Sequence, residues 1–225
     1  MSNRTRRLRI RDTTNGRKDL TILKENHGIL LTIMIPTIIS RKDKFFTITE
    51  KLMKQIKEND LEDLVEIISH FDNKTVGLSY KRTNMLRTTG GKFVASLDDD
   101  DDVSNDYIIS IVEAIKNNLD ADVITFKQHC NCDGNEFYVD SDINKPLGKQ
   151  KINNNTFIRY PWIWCAWRKE KVDIFVYNDI GKINYREDEF WLKHVRESDR
   201  IKKEVKIDKV LHYYRFSSKN TETQK

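Results

Sequence analysis

The sequence has few cysteines and no long apolar run. Three cysteines (Cys130, Cys132 and Cys165) among 225 residues exclude a fully paired disulfide framework and are typical of a reducing compartment. No apolar stretch approaches the ~20 residues that a membrane-spanning helix needs. The amino-terminal residues are basic and lack the apolar core of a secretory signal. We therefore expect no transmembrane segment and a cytoplasmic location.

Most of the chain also lacks an excess of positive charge. The net charge is +5, but residues 1–18 alone carry +6, which leaves −1 for the rest. We expect residues 1–27 to form a basic arm and residues 218–225 a polar tail. The arm is either merely solvated or binds a polyanion, such as nucleic acid or an anionic membrane surface. A protein that mainly binds nucleic acid should have a basic body, which this chain lacks.

Strand-like and helix-like segments alternate through the first half of the chain. Short apolar runs predict strands at residues 30–35, 64–69, 93–97 and 122–126. The segments between them have helical spacing, with Phe45, Ile48, Leu52 and Ile56 on one face. This alternation predicts an α/β fold with a mostly parallel central sheet flanked by helices. Residues 28–217 form the predicted single domain, regular over 28–126 and less regular over 127–217.

Two helix boundaries can be predicted from local chemistry. Gly90 and Gly91 are expected to end a helix over residues 79–89, because glycine readily adopts the left-handed conformation found there. Ser104 is expected to cap the following helix, whose predicted buried face is Ile108, Ile111, Val112 and Ile115.

Five consecutive aspartates, Asp98 to Asp102, follow the strand predicted at residues 93–97. Like charges this close repel each other, so the run is either a solvated acidic turn or a site for a hard cation. Ligands of parallel sheets bind beyond the carboxyl ends of the strands. Pro36, Thr37 and Asp72 also follow predicted strands and should lie at the same edge. A divalent ion bridging Asp98 and Asp100 could also hold a diphosphate.

Several motifs occur in a fixed order around this run: IMIPTIISR, SHFDN, GLSYKRTNML, FVASLDDDDDVSNDY, NYREDEFWLKHV and KVLHYYRFSS. Together they cover roughly residues 30–217 and resemble the family 2, inverting GT-A glycosyltransferases. The resemblance implies a GT-A fold with a nucleotide-sugar half (28–126) and an acceptor half (127–217). It implies a metal-dependent hexosyl- or pentosyltransferase whose donor is a nucleotide sugar, with uridine as the expected nucleoside.

The resemblance also implies roles on the donor side. Asp98 would face the ribose, and Asp100 would be the principal ligand of Mn²⁺ or Mg²⁺. His212 would complete the metal shell together with Asp98, although a core histidine is the alternative. The other implied donor-binding residues are Pro36, Thr37, Asp72, Lys81, Arg82 and Asp99. For Lys81 and Arg82, the alternative from spacing alone is a solvated helix face.

On the acceptor side, Asp188 aligns with the catalytic base, which takes the proton of the attacking hydroxyl. Its neighbour Glu187 would orient the acceptor or a backbone amide. Without the resemblance, the two residues are only an acidic helix start. Trp162 and Trp164 offer aromatic faces for an acceptor sugar or base, and core packing is the alternative for each.

Two classes of acceptor remain open. SYKRTNML, LDDDDDVSNDY and LHYYRF also resemble viral, TET-associated glycosyltransferases, which implies hydroxymethylated pyrimidines in DNA and a location in the host cytoplasm. Family 2 otherwise implies a glycan. A different functional class is a catalytically idle module that binds a nucleotide sugar or saccharide. The presence of Asp98, Asp100 and Asp188 counts against it.

Overall fold

The computed structural model describes residues 10–12, 28–173 and 186–218. These residues form one large mixed sheet with helices packed against it. The strands are β1 (Ile10–Asp12), β2 (Leu31–Ile38), β3 (Val65–Asp72), β4 (Phe93–Ser96), β5 (Asp102–Val103), β6 (Val123–Cys132), β7 (Asn135–Ser141), β8 (Gln150–Lys151), β9 (Thr156–Arg159), β10 (Ala166–Arg168) and β11 (Glu204–Phe216). The helices are α1 (Lys42–Glu58), α2 (Leu78–Thr88), α3 (Tyr107–Asn117), α4 (Lys169–Val172) and α5 (Glu187–Glu197).

The amino-terminal half of the sheet is parallel. Strands β1, β3, β2 and β4 lie side by side in that order, and each neighbouring pair is parallel. The apolar residues of β2, β3 and β4 are almost all buried, as expected for strands covered on both faces. The predicted α/β fold with a mostly parallel central sheet is therefore confirmed.

Strand β2 runs farther than the sequence indicates. The prediction ended this strand before Pro36, but β2 continues to Ile38, and Pro36 lies opposite His70 of β3. Proline is tolerated here because β4 pairs with β2 only as far as Met34. Thr37 is consequently part of the strand and not of the loop that follows it.

The carboxyl-terminal half has mixed pairing. Strand β10 is antiparallel to both β4 and β6, and β6 forms a hairpin with β7. Asp133 and Gly134 make the hairpin turn with positive φ angles of 51° and 87°, as a type I′ turn requires. Strand β11 lies parallel to β6 and antiparallel to β5. It thereby places His212 and Tyr213 beside the end of the acidic run.

Both predicted helix faces are confirmed, since the four residues named for α1 and the four for α3 are all buried. The bounds predicted for α2 were right to within one residue, but the predicted capping roles of Gly90, Gly91 and Ser104 were wrong. Helix α2 ends at Thr88, and neither Gly90 nor Gly91 has a positive φ. Gly91 is required for space instead, because a Cβ atom there would lie 2.4 Å from Thr32 Oγ1. Ser104 does not cap α3; its hydroxyl donates to Asp106 Oδ1 at 2.7 Å.

The predicted basic arm contributes a strand. The backbone of Ile10–Asp12 pairs in parallel with Ile67–Ser69 of β3, so this short part of the arm extends the sheet. The remainder of the arm and residues 219–225 lie outside the described residues. No helix in the described part of the chain is long and apolar enough to cross a membrane.

Candidate active site

The ends of β2 and β3 meet the acidic run, as the parallel sheet predicts. Thr37 Oγ1 donates a hydrogen bond to Asp99 Oδ2 at 2.6 Å. Lys81, from α2, donates to the carbonyl oxygen of Thr37 at 2.8 Å and forms an ion pair with Asp72. Four of the residues predicted to bind the donor (Thr37, Asp72, Lys81 and Asp99) are thus in one connected group.

Lys81 and Asp72 form a buried pair. Only 4% of the Lys81 side chain and 3% of the Asp72 side chain are exposed, so the solvated helix face considered for Lys81 is wrong. Burial alone would raise the pKa of Asp72, but hydrogen bonds from Lys81 and from the Val76 N–H lower it to about 2. Asp72 also accepts hydrogen bonds from Thr75, through its N–H at 2.7 Å and its hydroxyl at 3.1 Å. The Asp72 carboxylate therefore binds both Lys81 and the loop that precedes α2.

Arg82 connects the acidic run to α5. Its guanidinium contacts Asp98 Oδ1 at 2.6 Å and also forms an ion pair with Glu187. The Arg82 and Glu187 side chains are 2% and 4% exposed, whereas Asp98 is 43% exposed. Burial raises the pKa of Glu187, and the attraction of Arg82 opposes that shift. The solvated alternative is thus wrong for Arg82 as well, and Glu187 faces this arginine.

The middle of the acidic run is held by cations that the sequence reasoning missed. Arg41 contacts Asp99 Oδ1 at 2.6 Å and also contacts Asp100, and Lys44 lies 3.7 Å from Asp100 Oδ2. Burial raises the pKa of Asp99 to about 6, although Thr37 and Arg41 oppose that shift. Asp100 is 41% exposed. Arg41 is the last residue of the motif IMIPTIISR, so its position in sequence was a usable signal.

His212 is fixed on three sides. Its Nε2 lies 2.9 Å from Asp101 Oδ2 and its Nδ1 lies 3.0 Å from Gln128 Nε2. The ring stacks on Trp164 at 5.3 Å with an interplanar angle of 9°. The parallel register of β11 and β6 produces this arrangement by placing His212 opposite Gln128. Burial raises the pKa of Asp101, and the neighbouring His212 opposes that shift. Both ring nitrogens of His212 are thus engaged by protein groups.

Asp188 and Asp98 line the same cavity, which has a volume of about 260 Å³. Asp188 Oδ2 accepts a hydrogen bond from Trp162 Nε1 at 2.9 Å, and its Oδ1 accepts one from the Glu189 N–H at 2.8 Å. The other residues that line the cavity are Ser96, Asp101, Gln128, Cys130, Lys149, Arg159, Trp162, Ile163, Trp164, His212 and Tyr214. Asp99 and Asp100 are not among them.

The two tryptophans predicted to bind the acceptor differ in environment. Trp162 is half-buried, and its ring lies 3.1 Å below the guanidinium carbon of Arg159. Trp164 is only 4% exposed and packs between His212 and Phe126. Core packing is therefore the role that the structure gives Trp164, while Trp162 presents its N–H to Asp188. An acceptor role stays a prediction for both rings.

The carboxylate oxygens of the acidic run are of the ligand type that hard divalent cations prefer. Among the described residues, no group of three or more histidine, cysteine, aspartate or glutamate side chains is arranged to hold a metal ion. Asp98 and Asp100 are nevertheless both about two-fifths exposed and offer carboxylate oxygens. Mg²⁺ is often held by one or two protein carboxylates together with the phosphates of a substrate. Asp98 and Asp100 could therefore supply only part of the ligands of such a cation, and the others would have to come from a bound substrate.

Comparison with known proteins gives the family. Residues 40–173 match the sequence profile of Glycosyl transferase family 2. The chain belongs to glycosyl transferase family 2. The match covers more than half of the chain and includes the acidic run, so the prediction of a glycosyltransferase is confirmed at the level of the family.

Solved structures have a similar fold. The structure of S. aureus TarS 1–349 in complex with UDP is similar with a TM-score of 0.59 and 15% identity, over 84% of this chain and 61% of that one. The S. aureus TarS structure has a TM-score of 0.56 and 16% identity, over 84% of this chain and 37% of that one. At such identities the likeness shows the GT-A fold alone.

A curated relative is the glucosyl-dolichyl phosphate glucuronosyltransferase of Haloferax volcanii. It is 33% identical over 64 residues, which are 28% of this chain and 20% of that protein. The aligned segment thus spans about a fifth of the curated relative.

Proposed function

We propose that this chain transfers a sugar from a uridine diphosphate sugar to an acceptor hydroxyl, with inversion at the anomeric carbon. One observation carries the proposal: Asp98, of the acidic run, and Asp188, of the E-D motif, line the same cavity. A single displacement needs a base on the acceptor side and stabilisation of the leaving group on the donor side. The two carboxylates are connected through the Arg82–Glu187 pair.

On the donor side, Asp98 and Asp99 with Pro36, Thr37, Asp72, Lys81 and Arg82 are the proposed nucleotide-sugar residues. Asp98 and Asp100 would hold Mn²⁺ or Mg²⁺, which when bound neutralises charge on the departing diphosphate. His212 is retained as a proposed ligand only if one of its two hydrogen bonds is released. The UDP named with the S. aureus TarS structure supports the choice of nucleotide.

On the acceptor side, Asp188 would accept the proton of the attacking hydroxyl. The acceptor oxygen forms the new bond to the anomeric carbon as the bond to the diphosphate oxygen breaks, and the diphosphate leaves with that electron pair. The hydrogen bonds from Trp162 and Glu189 fix the orientation of the Asp188 carboxylate before the acceptor arrives. Glu187 would act on the acceptor side indirectly, by holding Arg82.

The acceptor is either a glycan or a hydroxymethylated pyrimidine in DNA. The name of the H. volcanii relative supports a saccharide, and the net charge of +6 on residues 1–18 supports DNA. The test is a panel of UDP-sugars with Mn²⁺, offered with hydroxymethylated DNA, plain DNA and simple saccharides, with products identified by mass. UDP binding without transfer or donor hydrolysis would favour the idle-module alternative.

A truncated chain separates the two acceptors. If the acceptor is DNA, deletion of residues 2–18 should flatten the dependence of its Michaelis constant on salt, because fewer counterions are released on binding. If the acceptor is a neutral saccharide, the deletion should not change that dependence. This deletion also removes β1, so its melting temperature must be compared with that of the full chain.

A further inference from the structure

Arg159 is a cavity residue that none of the roles above uses. It is the last residue of β9, and its guanidinium carbon lies 3.1 Å above the ring of Trp162. Its Nε atom is buried and has no hydrogen-bond partner among the described residues. A buried donor without a partner carries a desolvation cost that a bound acceptor atom would remove.

Asp188, which lines the same cavity, does not form an ion pair with Arg159. In the part of the chain that the structure describes, no carboxylate lies within the 4.0 Å ion-pair distance of this guanidinium. Asp188 instead accepts its hydrogen bonds from Trp162 and Glu189. Burial lowers the pKa of Arg159 to about 10, and Asp188 and Glu189 oppose that shift, so Arg159 carries a full charge at neutral pH.

A second cation lies on the lining of the same cavity. Lys149 is exposed, and its Nζ lies 4.8 Å from the centre of the Phe137 ring. Lys149 has no carboxylate partner among the described residues. The cavity lining therefore includes the carboxylates of Asp98, Asp101 and Asp188, together with two cations that have no carboxylate partner among the described residues.

We propose that Arg159 and Lys149 form a subsite for an oxyanion, a carboxylate or phosphate carried by the substrate and distinct from the leaving diphosphate. The planar guanidinium can donate two parallel hydrogen bonds to such a group while its face stays on Trp162. The inference rests on the proposed function, since it assigns part of the same cavity. The anion has two possible sources: the transferred sugar, as in a uronic acid, or a phosphate on the acceptor.

The test compares charged and neutral ligands that are otherwise alike. Calorimetry with the full chain compares the affinity for UDP-glucuronic acid with that for UDP-glucose, which tests whether the anion is on the transferred sugar. With UDP present, it compares the affinity for methyl glucoside 6-phosphate with that for methyl glucoside, which tests whether the anion is on the acceptor. The variants are Arg159→Gln, Arg159→Lys and Lys149→Gln. Matched controls are Arg196→Gln, which removes an exposed guanidinium 6.0 Å from the Tyr160 ring, and Lys151→Gln on neighbouring β8.

In the wild type, the charged ligand of one pair should bind more tightly than its neutral counterpart. Arg159→Gln should reduce that preference by about tenfold or more, which is the scale of a charge-assisted hydrogen bond. Arg159→Lys should retain part of it, and Lys149→Gln should lower it by a few-fold because Lys149 is exposed. The pair of ligands whose charge preference falls in Arg159→Gln identifies the source of the anion.

Two results would overturn the subsite. One is a wild type with no preference for the charged ligand in either pair. The other is an Arg159→Gln variant that weakens charged and neutral ligands equally, which a purely structural role beneath Trp162 would produce. Binding of UDP alone is measured in parallel. If UDP binds normally, only the subsite has failed, whereas loss of UDP binding in the wild type contradicts the proposed function.

Discussion

The Arg82–Glu187 contact allows a prediction about stability whose size depends on pH. Arg82→Gln removes the cation between Asp98 and Glu187. Asp98 is 43% exposed, so water screens it and little is lost there. Glu187 is 4% exposed and would be left as a buried, uncompensated carboxylate. Removing one partner of a buried pair typically costs about 3–5 kcal/mol.

The cost should fall at low pH because Glu187 can take up a proton. Burial already raises the pKa of Glu187 in the wild type, so its contribution to stability is greatest below the unfolded-state pKa and is lost as pH rises through the folded-state pKa. Arg82 opposes the upward shift, so its removal raises this pKa further. We expect a loss of about 3 kcal/mol at pH 8 that falls toward about 1 kcal/mol near pH 5.

Thermal unfolding at both pH values measures this loss. About 3 kcal/mol corresponds to a decrease of roughly 6–12 °C in melting temperature for a domain of this size. Adding Glu187→Gln to the variant should restore much of the loss at pH 8. Arg87→Gln, at an exposed position of the same helix, is the control and should change little. Equal losses at pH 5 and pH 8, with no recovery on adding Glu187→Gln, would refute the assignment of the cost to Glu187.

Three further predictions concern the carboxylates. Asp188→Asn should retain UDP binding, measured by calorimetry, but lower turnover by at least ~100-fold; transfer at the wild-type rate would remove Asp188 as the base. Asp100→Ala should abolish the gain in UDP affinity that Mn²⁺ provides, whereas Asp102→Ala, whose carboxylate pairs with Lys51, should not; unchanged Mn²⁺ dependence would contradict the metal assignment. Because burial raises the pKa of Asp99 to about 6, its contribution to stability is present below pH ~4 and is lost as pH rises through 6. Asp99→Asn should therefore remove about 1 kcal/mol of pH-dependent destabilisation between pH 5 and 7, and identical pH profiles of melting temperature would exclude Asp99 as its source.

Some features of the site could be predicted because they depend on local pattern. Short apolar runs identified β2, β3 and β4, and helical spacing identified the buried faces of α1 and α3. The carboxyl ends of parallel strands share an edge, so Thr37 and Asp72 could be placed beside the acidic run before any contact was known. Local reasoning failed at helix ends. The Ile108 N–H, in the first turn of α3, donates its hydrogen bond to Gln55 Oε1 of α1, and no residue near Ile108 in sequence reveals this partner.

By itself, the sequence determined the alternation of strands and helices in the first half of the chain, the edge at which charge collects and the family motifs, because periodicity and motif spacing are properties of neighbouring residues. Only the tertiary structure decided which charged side chains contact one another. Arg82 and Glu187 are 105 positions apart, and His212 and Asp101 are 111 apart. Their contacts depend on strand order and on the register of β11 against β6, neither of which is encoded near these residues. For the same reason, the Arg159 guanidinium, left without a carboxylate partner in the cavity among the described residues, became visible only once β9 had been placed in the sheet.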